Sequence, residues 1–402
     1  MRAYERLLNY IAYDTASDET KEMTPTTQGQ KVLAGALAEE MKQLGLSEVY
    51  VDEHAYVYGK IPPKGNTEKT PLGFVAHLDT VSEFPAYPVH PQIIRDYDGK
   101  TIVLGESGRV LDTDKFPHLQ DMKGKTLITT DGSTILGADD KAGVAEIMTM
   151  CEQVLASEQA HGEICICFTP DEETGHGAAL LDLERFGARV AFTVDGFRPD
   201  VIEYETFNAA GAKWEVNGFE THPGSAKDVM INASLVAAEI IGMLPEDEIP
   251  AKTEGYEGFY HLCSMEGNVS GAVLDYIIRD HDGEKFAQRK EQMEKIEKVI
   301  NEKYGKGTAK LTIKDQYRNM AEILKDRPEV IRMAKDAAAA AGLQPVTEPV
   351  RGGTDGAQLT FRGLPCPNLG TGGYAFHGPY EHVVVEQMDQ AVEILKNLVY
   401  AS

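Results

Sequence analysis

Three short runs constrain this chain more than anything else in it: Leu72–Ala76, Glu163–Phe168 and Val190–Val194. ICICF and RVAFTV, at the second and third, are apolar nearly throughout. A strand with one face in water alternates apolar and polar residues. A strand apolar on both faces must be covered on both, as inside an α/β sheet with helices above and below. A further strand is expected at Leu127–Thr130, with helices at about Ala142–Leu155 and Ala178–Phe186. Two helices open the chain, about Ala3–Tyr13 and about Thr27–Leu44. In the second, Val32, Leu33, Leu37, Met41 and Leu44 recur at helical spacing, and Thr26 or Thr27 can cap its start.

Near Asn208 the pattern changes. The order becomes strand (Ala212–Val216), helix (Ile231–Met243), strands (about Gly258–Glu266 and Ala272–Asp280), helix (Glu284–Tyr304) and strand (Thr308–Asp315). These strands alternate, as one-sided antiparallel sheets do. After Met320 the α/β pattern returns with helix Glu329–Ala341, strand Pro367–Leu369 and helix Val385–Tyr400. A chain of 402 residues has room for two domains. The expected organisation is an α/β domain made of residues 1–207 and 321–402, interrupted by an inserted α+β domain over 208–320. The polar stretch Tyr87–Gln120 gives no assignable pattern, although Pro85, Pro88 and Pro91 suggest a shaped loop.

Lys and Arg total 39 against 64 Asp and Glu, a formal net charge of −25. Such a surface repels nucleic acid and anionic membranes, which excludes both as main partners. No run approaches the roughly 20 apolar residues of a membrane span, and the amphipathic start MRAYERLLNYIAYDT lacks the core of a signal peptide. Cys151, Cys165, Cys167, Cys263 and Cys366 are odd in number and show no zinc-knuckle spacing, as for buried thiols in a reducing compartment. A soluble cytoplasmic protein is expected.

Chemistry-bearing residues stand where the strands end. His77 and Asp79 close the first run at i and i+2, on one face of a strand. Alone, the pair more often marks a hydrogen-bonded structural histidine. Asp139 and Asp140 follow Gly137 at a helix start, where a carboxylate can also simply cap backbone N–H groups. Asp171-Glu172-Glu173 follow a strand that breaks at Pro170; adjacent acids repel unless cations neutralise them, though a solvated acid run is the plainer alternative. Asp195 ends a fourth strand, and His377 lies in a Gly-rich loop after Pro367–Leu369. The ends of strands in an open α/β sheet are where ligands bind. His, Asp, Glu, Asp and His at five such places make a two-metal site the better account. Nitrogen and oxygen donors without cysteine suit Zn²⁺, with Mn²⁺ or Co²⁺ as alternatives.

HLDTV, GADDKAG, TPDEETG, TVDG, THPGSAKDVMINA and AFHGPYEH, in this order and across essentially the whole chain, resemble the M20 metallopeptidases and in detail their tripeptide-cleaving aminopeptidases. The resemblance implies a mixed-sheet, zinc-exopeptidase-like catalytic domain with an inserted α+β lid that commonly mediates a homodimer. It implies two zinc ions per subunit: His77 and Asp195 on one, Glu173 and His377 on the other, Asp139 bridging. Asp139 is preferred to Asp140 because more distant members keep only the first acid. Asp79 would orient His77, and Glu172 would be the general base. In the lid, His222 resembles a histidine that reaches an active site, and Asn268 and Arg279 resemble residues that grip a substrate carboxylate; Arg351 would lie beside the site and take part in substrate binding. From the residues alone, His222 before a proline also reads as a turn residue and Arg279 as a surface charge. His176 stands where relatives often carry a basic residue.

The activity implied is hydrolysis of tripeptides from the N-terminal end, with metal-activated water and proton transfer by Glu172. The same scaffold serves dipeptidases, carboxypeptidases and amino-acid deacylases. A metal-binding dimer without catalysis would lack the base or a ligand, and all are present here.

Overall fold

The computed structural model describes residues 1–65 and 69–401. The chain forms two units. One comprises Met1–Tyr204, Met320–Glu348 and the residues from Thr354 onward; the other comprises Glu205–Asn319 and Pro349–Gly353.

In the first unit the doubly apolar runs form the middle of an eight-stranded mixed sheet. Its spatial order is Ser47–Val51, Val57–Ile61, Ile164–Thr169, Leu72–His77, Val190–Gly196, Asn368–Gly370, Val201–Glu203 and Val346–Thr347. Leu72–His77 is parallel to both of its neighbours, and Asn368–Gly370 is parallel to Val190–Gly196. The Ser47–Ile61 hairpin joins antiparallel at one side. Successive side chains leave opposite faces, and both faces are covered. Ile164, Ile166, Phe168, Phe74, Phe192 and Val194 pack into the large core under the helices. Cys165, Cys167, Val75 and Ala191 enter a second core with Tyr56, Phe186, Leu359 and Cys366. All five cysteines are unpaired, and only Cys263 is exposed.

Some sequence expectations need correction. Strand Leu127–Thr130 does not join the large sheet. It sits in a four-stranded antiparallel sheet between His382–Val384 and Pro91–Ile94, with Gly373–Tyr374 at one edge. The polar stretch 87–120 supplies strands Pro91–Ile94, Ile102–Leu104 and Arg109–Leu111, and a 3₁₀ helix runs over Pro117–Met122. These pieces are too short for periodicity to reveal. Expected helix Ala178–Phe186 shrinks to Leu183–Phe186, because Asp182 caps it by accepting from the N–H groups of Glu184 and Arg185. The hairpin strands Ser47–Val51 and Val57–Ile61 lie outside the strands expected from the sequence.

The second unit is an antiparallel four-stranded sheet in the order Phe259–Gly267, Gly271–Asp280, Asn208–Asn217 and Ala309–Tyr317. Residues of Gly271–Asp280 alternate between buried and half-buried. Trp214, Leu274 and Ile278 pack with Ile240 of helix Ala233–Gly242 and with Met293, Ile296 and Ile300 of helix Gly283–Tyr304. Asn232 and Asp282 cap these two helices through their side chains.

One buried acid in the first unit stands apart from any site. Glu146 lies in helix Ala138–Leu155, which packs against helices Ala3–Tyr10 and Val385–Ala401. Neither of its carboxyl oxygens meets a hydrogen-bond donor among the described residues. Burial, with Asp389 adding to it, holds its pKa well above the usual carboxylate range. The folded state therefore keeps a proton that the unfolded chain releases. That contribution is full below the unfolded pKa and is lost as pH rises towards the folded one. Glu146→Leu is expected to stabilise the protein by about 1–3 kcal/mol. Thermal melts should show a larger gain near pH 9 than near pH 6; parallel pH profiles would contradict this account.

Candidate metal centre

The ends of the parallel strands assemble the site. In the ladder between Leu72–His77 and Ile164–Thr169, His77 pairs with Thr169, so the acids after Pro170 emerge beside the imidazole. Gly137, at φ 74°, turns the chain into helix Ala138–Leu155. Gly143 lets that helix approach the neighbouring strand: a Cβ there would sit 1.8 Å from the carbonyl oxygen of Val194. This close approach brings Asp139 beside Asp195.

His77 is 2% exposed. Its Nδ1 lies 3.1 Å from the carbonyl oxygen of Asp79. In the neutral ring, an N–H donated there would leave the Nε2 lone pair to face a metal ion. Nε2 lies 2.9 Å from Asp139 Oδ1 and 3.5 Å from Asp195 Oδ1. The other oxygen of Asp139, Oδ2, is 3.1 Å from His377 Nε2, which is also 3.3 Å from Glu173 Oε2. Asp139 thus turns one oxygen to each imidazole, and each imidazole has a second acid beside it. Ligand atoms of His77, Asp139 and Glu173 lie within 4.8 Å of one another, as do those of His77, Asp140 and Asp195. Asp140 differs from Asp139 in what it already holds. Its Oδ2 accepts from the His77 N–H and its Oδ1 from the Gly143 N–H, both at 3.1 Å.

The acids after Pro170 divide by role. Asp171, at φ 54°, accepts from the Thr26 N–H and hydroxyl and from Gln30 Nε2. It anchors the turn. Asp79 is fully buried and accepts from the N–H of Glu172 at 2.9 Å and of Glu173 at 3.1 Å. Its carboxylate lies 3.4 Å from His77 Nδ1, so its carbonyl makes the shorter contact with the ring. Asp140 and Asp171 belong to acid pairs and runs visible in the sequence, but their supporting contacts are not, and Glu381 carries no sequence signal of its own. The one signal was an acid run too dense for every member to meet the same ions.

Charge in the cluster is far from balanced. Burial pushes the Glu172 carboxyl well up, His77 opposing and Asp195, Asp355 and Glu173 adding. Burial, reinforced by Asp139, raises Glu173 to about 8. Asp195 rises to about 7 through burial, with His77 opposing and Asp139 adding. Burial alone would lower the His77 imidazole, but Asp195, Asp139 and Asp79 together hold it well above its usual range. His377 reaches about 11 against burial, through Asp139 and Glu173. Asp139 alone is held down: burial opposes its ionisation, yet hydrogen bonds from His377 and His77 prevail. The acids around each imidazole thus call for positive charge, which divalent cations could supply. Glu173 Oε1 is buried without a hydrogen-bond donor among the described residues. An all-nitrogen-and-oxygen donor set with an unpartnered carboxylate oxygen fits divalent metal ions.

The four remaining expected residues lie in the second unit. His222 Nδ1 accepts from the Gly224 N–H at 3.1 Å, which leaves the proton of the neutral ring on Nε2, and the residue is exposed. Asn268 is exposed, with its Oδ1 accepting from the N–H groups of Ser270 and Gly271. Arg279 donates to the carbonyls of Ala210 and Ile278 and lies over the Tyr317 ring. Arg351 donates to the carbonyls of Gly255 and Glu257 and to the Thr253 hydroxyl, and lies over Phe207 and Phe259.

A family model for "Peptidase family M20/M25/M40" matches residues 112–401, and the chain belongs to that family of peptidases. Among individual relatives it is similar to peptidase T of Clostridium perfringens: 49% identical over 399 residues, covering 99% of this chain and 98% of the relative. The fold is also that of aminopeptidase PepT from Bacillus cereus (TM-score 0.78, 22% identity, 99% and 97% of the two chains). A tripeptidase from Staphylococcus aureus superposes equally well (TM-score 0.78, 21% identity, 100% and 97%).

Proposed function

We propose that this protein is a di-zinc aminopeptidase that removes the N-terminal residue from tripeptides. The observation that carries the reading is the position of Asp139, one oxygen facing His77 and the other His377, each imidazole with its own second acid. The near full-length similarity to peptidase T supports the peptide class and length. His77 and Asp195 would hold one zinc, Glu173 and His377 the other, with Asp139 shared; Co²⁺ or Mn²⁺ would serve as substitutes. Bound there, the ions would lower the pKa of water to about 7 and polarise the scissile carbonyl.

The chain's own residues do the rest. Glu172, beside the cluster on a turn fixed by Asp79 and Asp171, takes the proton of the attacking water and returns it to the leaving amine. Asp79 orients His77 through its carbonyl and holds the backbone of Glu172 and Glu173 through its carboxylate. His222, whose Nε2 carries the donor proton, is assigned to the oxyanion. Asn268 and Arg279 are assigned to the substrate carboxylate. Arg351 already has three donor contacts within its own unit and is assigned to shaping the Thr253–Glu257 loop. We further assign the protein to the cytoplasm, in keeping with its five unpaired cysteines, and to a homodimer formed through the second unit. Among the described residues no helix is long and apolar enough to cross a membrane.

The test is a panel of free di-, tri- and tetrapeptides with product identification. Tripeptides should be cleaved far faster than the others, with the free N-terminal residue as first product. A chelator should abolish the activity and zinc should restore it. Equal rates across the lengths, release from the C-terminal end, or activity indifferent to chelation would each reject the reading.

A further inference from the structure

Two segments far apart in sequence meet behind the cluster, and one side chain joins them. Glu381 is 1% exposed. Its Oε2 accepts from the N–H groups of Leu136 at 2.7 Å and Gly137 at 2.8 Å, and its Oε1 accepts from the Asp139 N–H at 3.0 Å. These donors belong to the turn that opens helix Ala138–Leu155, where Asp139 and Asp140 leave helical geometry. Glu381 also ends the short loop that begins at His377, and its own N–H closes that loop on the carbonyl of Gly378 at 3.1 Å. His377 itself stands at φ 65°, a conformation non-glycine residues adopt only when surroundings impose it. The neighbouring Lys141 ammonium is 3% exposed, bonds to the Tyr13 carbonyl, and interacts electrostatically with Glu381.

We propose that Glu381 is a positioning residue for the metal pair: it locks the Asp139 turn to the His377 loop, so the shared carboxylate and the distal imidazole are set as one piece. This rests on the reading that Asp139 and His377 are metal ligands. A carboxylate suits the task because both oxygens accept, and all three partners are donors. A glutamine would have to turn its NH₂ group towards a backbone N–H, leaving either Asp139 or the Leu136–Gly137 pair without an acceptor. A shorter aspartate would keep the charge beside Lys141 but could not span the same three groups.

The test uses full-length apo-protein titrated with Co²⁺, reading ions bound per chain, affinity by chelator competition, and the visible absorption of the bound ions. Glu381→Gln and Glu381→Asp are expected to weaken metal affinity by about 10–100-fold and to alter the absorption spectrum, with far-UV circular dichroism unchanged. Wild-type affinity and spectrum in either folded variant would overturn the proposal. Failure of both variants to fold would also overturn it, in favour of a purely scaffolding role. Asp139→Asn is measured in parallel. If that variant binds metal as the wild type does, the ligand reading itself fails; if it loses metal while the Glu381 variants do not, only the positioning role fails.

Discussion

Glu172→Gln is expected to bind two metal ions per chain and to hydrolyse tripeptides about 10²–10⁴-fold more slowly in kcat, the usual contribution of a positioned general acid–base group. The expectation follows from how the turn is built. The backbone of Glu172 and Glu173 is held by Asp79, and the turn by Asp171 with Thr26 and Gln30. None of those bonds uses the Glu172 side chain. Replacing its carboxyl removes a proton acceptor without releasing Glu173, so metal content and melting temperature should stay near wild type while turnover collapses. Metal analysis beside steady-state kinetics distinguishes the outcomes. A variant that kept most of its kcat would remove Glu172 from the mechanism, and one that lost metal would make it a ligand instead.

Asp139→Asn should act on the metals first. Removing one charge from a buried ionic cluster costs about 3–5 kcal/mol, or about 10²–10⁴-fold in affinity, and Asp139 faces both imidazoles. Both ions should therefore be lost together and activity with them. Asp140→Asn should cost much less metal, because the Asp140 oxygens are engaged by the N–H groups of His77 and Gly143. Chelator competition on the two variants separates these neighbours. The reverse ranking would transfer the shared role to Asp140.

Which features could be read in the sequence follows from the distances involved. Strands such as Ile164–Thr169 announced themselves because burial on both faces leaves a local, continuous apolar trace. His77, Asp139, Glu173, Asp195 and His377 were legible through chain position together with family motifs, and the structure brings all five into one cluster. Strand Leu127–Thr130 was found, but its sheet was not, since pairing with His382–Val384 is a relation across more than two hundred residues. The roles of the supporting acids are hidden for a similar reason. Asp171 and Glu381 look like any other carboxylate until the donors of Thr26 and of the Leu136–Asp139 turn arrive from elsewhere. Asp79 was expected to act on His77, and its additional hold on Glu172 and Glu173 became evident only once the two strand ends lay side by side.

The in-register ladder from Leu72–Ile164 to His77–Thr169 has a mechanical consequence. Spacing between the first imidazole and the turn that carries Glu172 is dictated by counting rungs of backbone, as marks on a ruler, and not by the lengths of the connecting segments. Residues added at exposed loop positions between those strands, away from Asp79 and the Leu136–Asp140 turn, should be tolerated, whereas a single residue added within either strand would shift the gauge by a notch and separate His77 from Glu172.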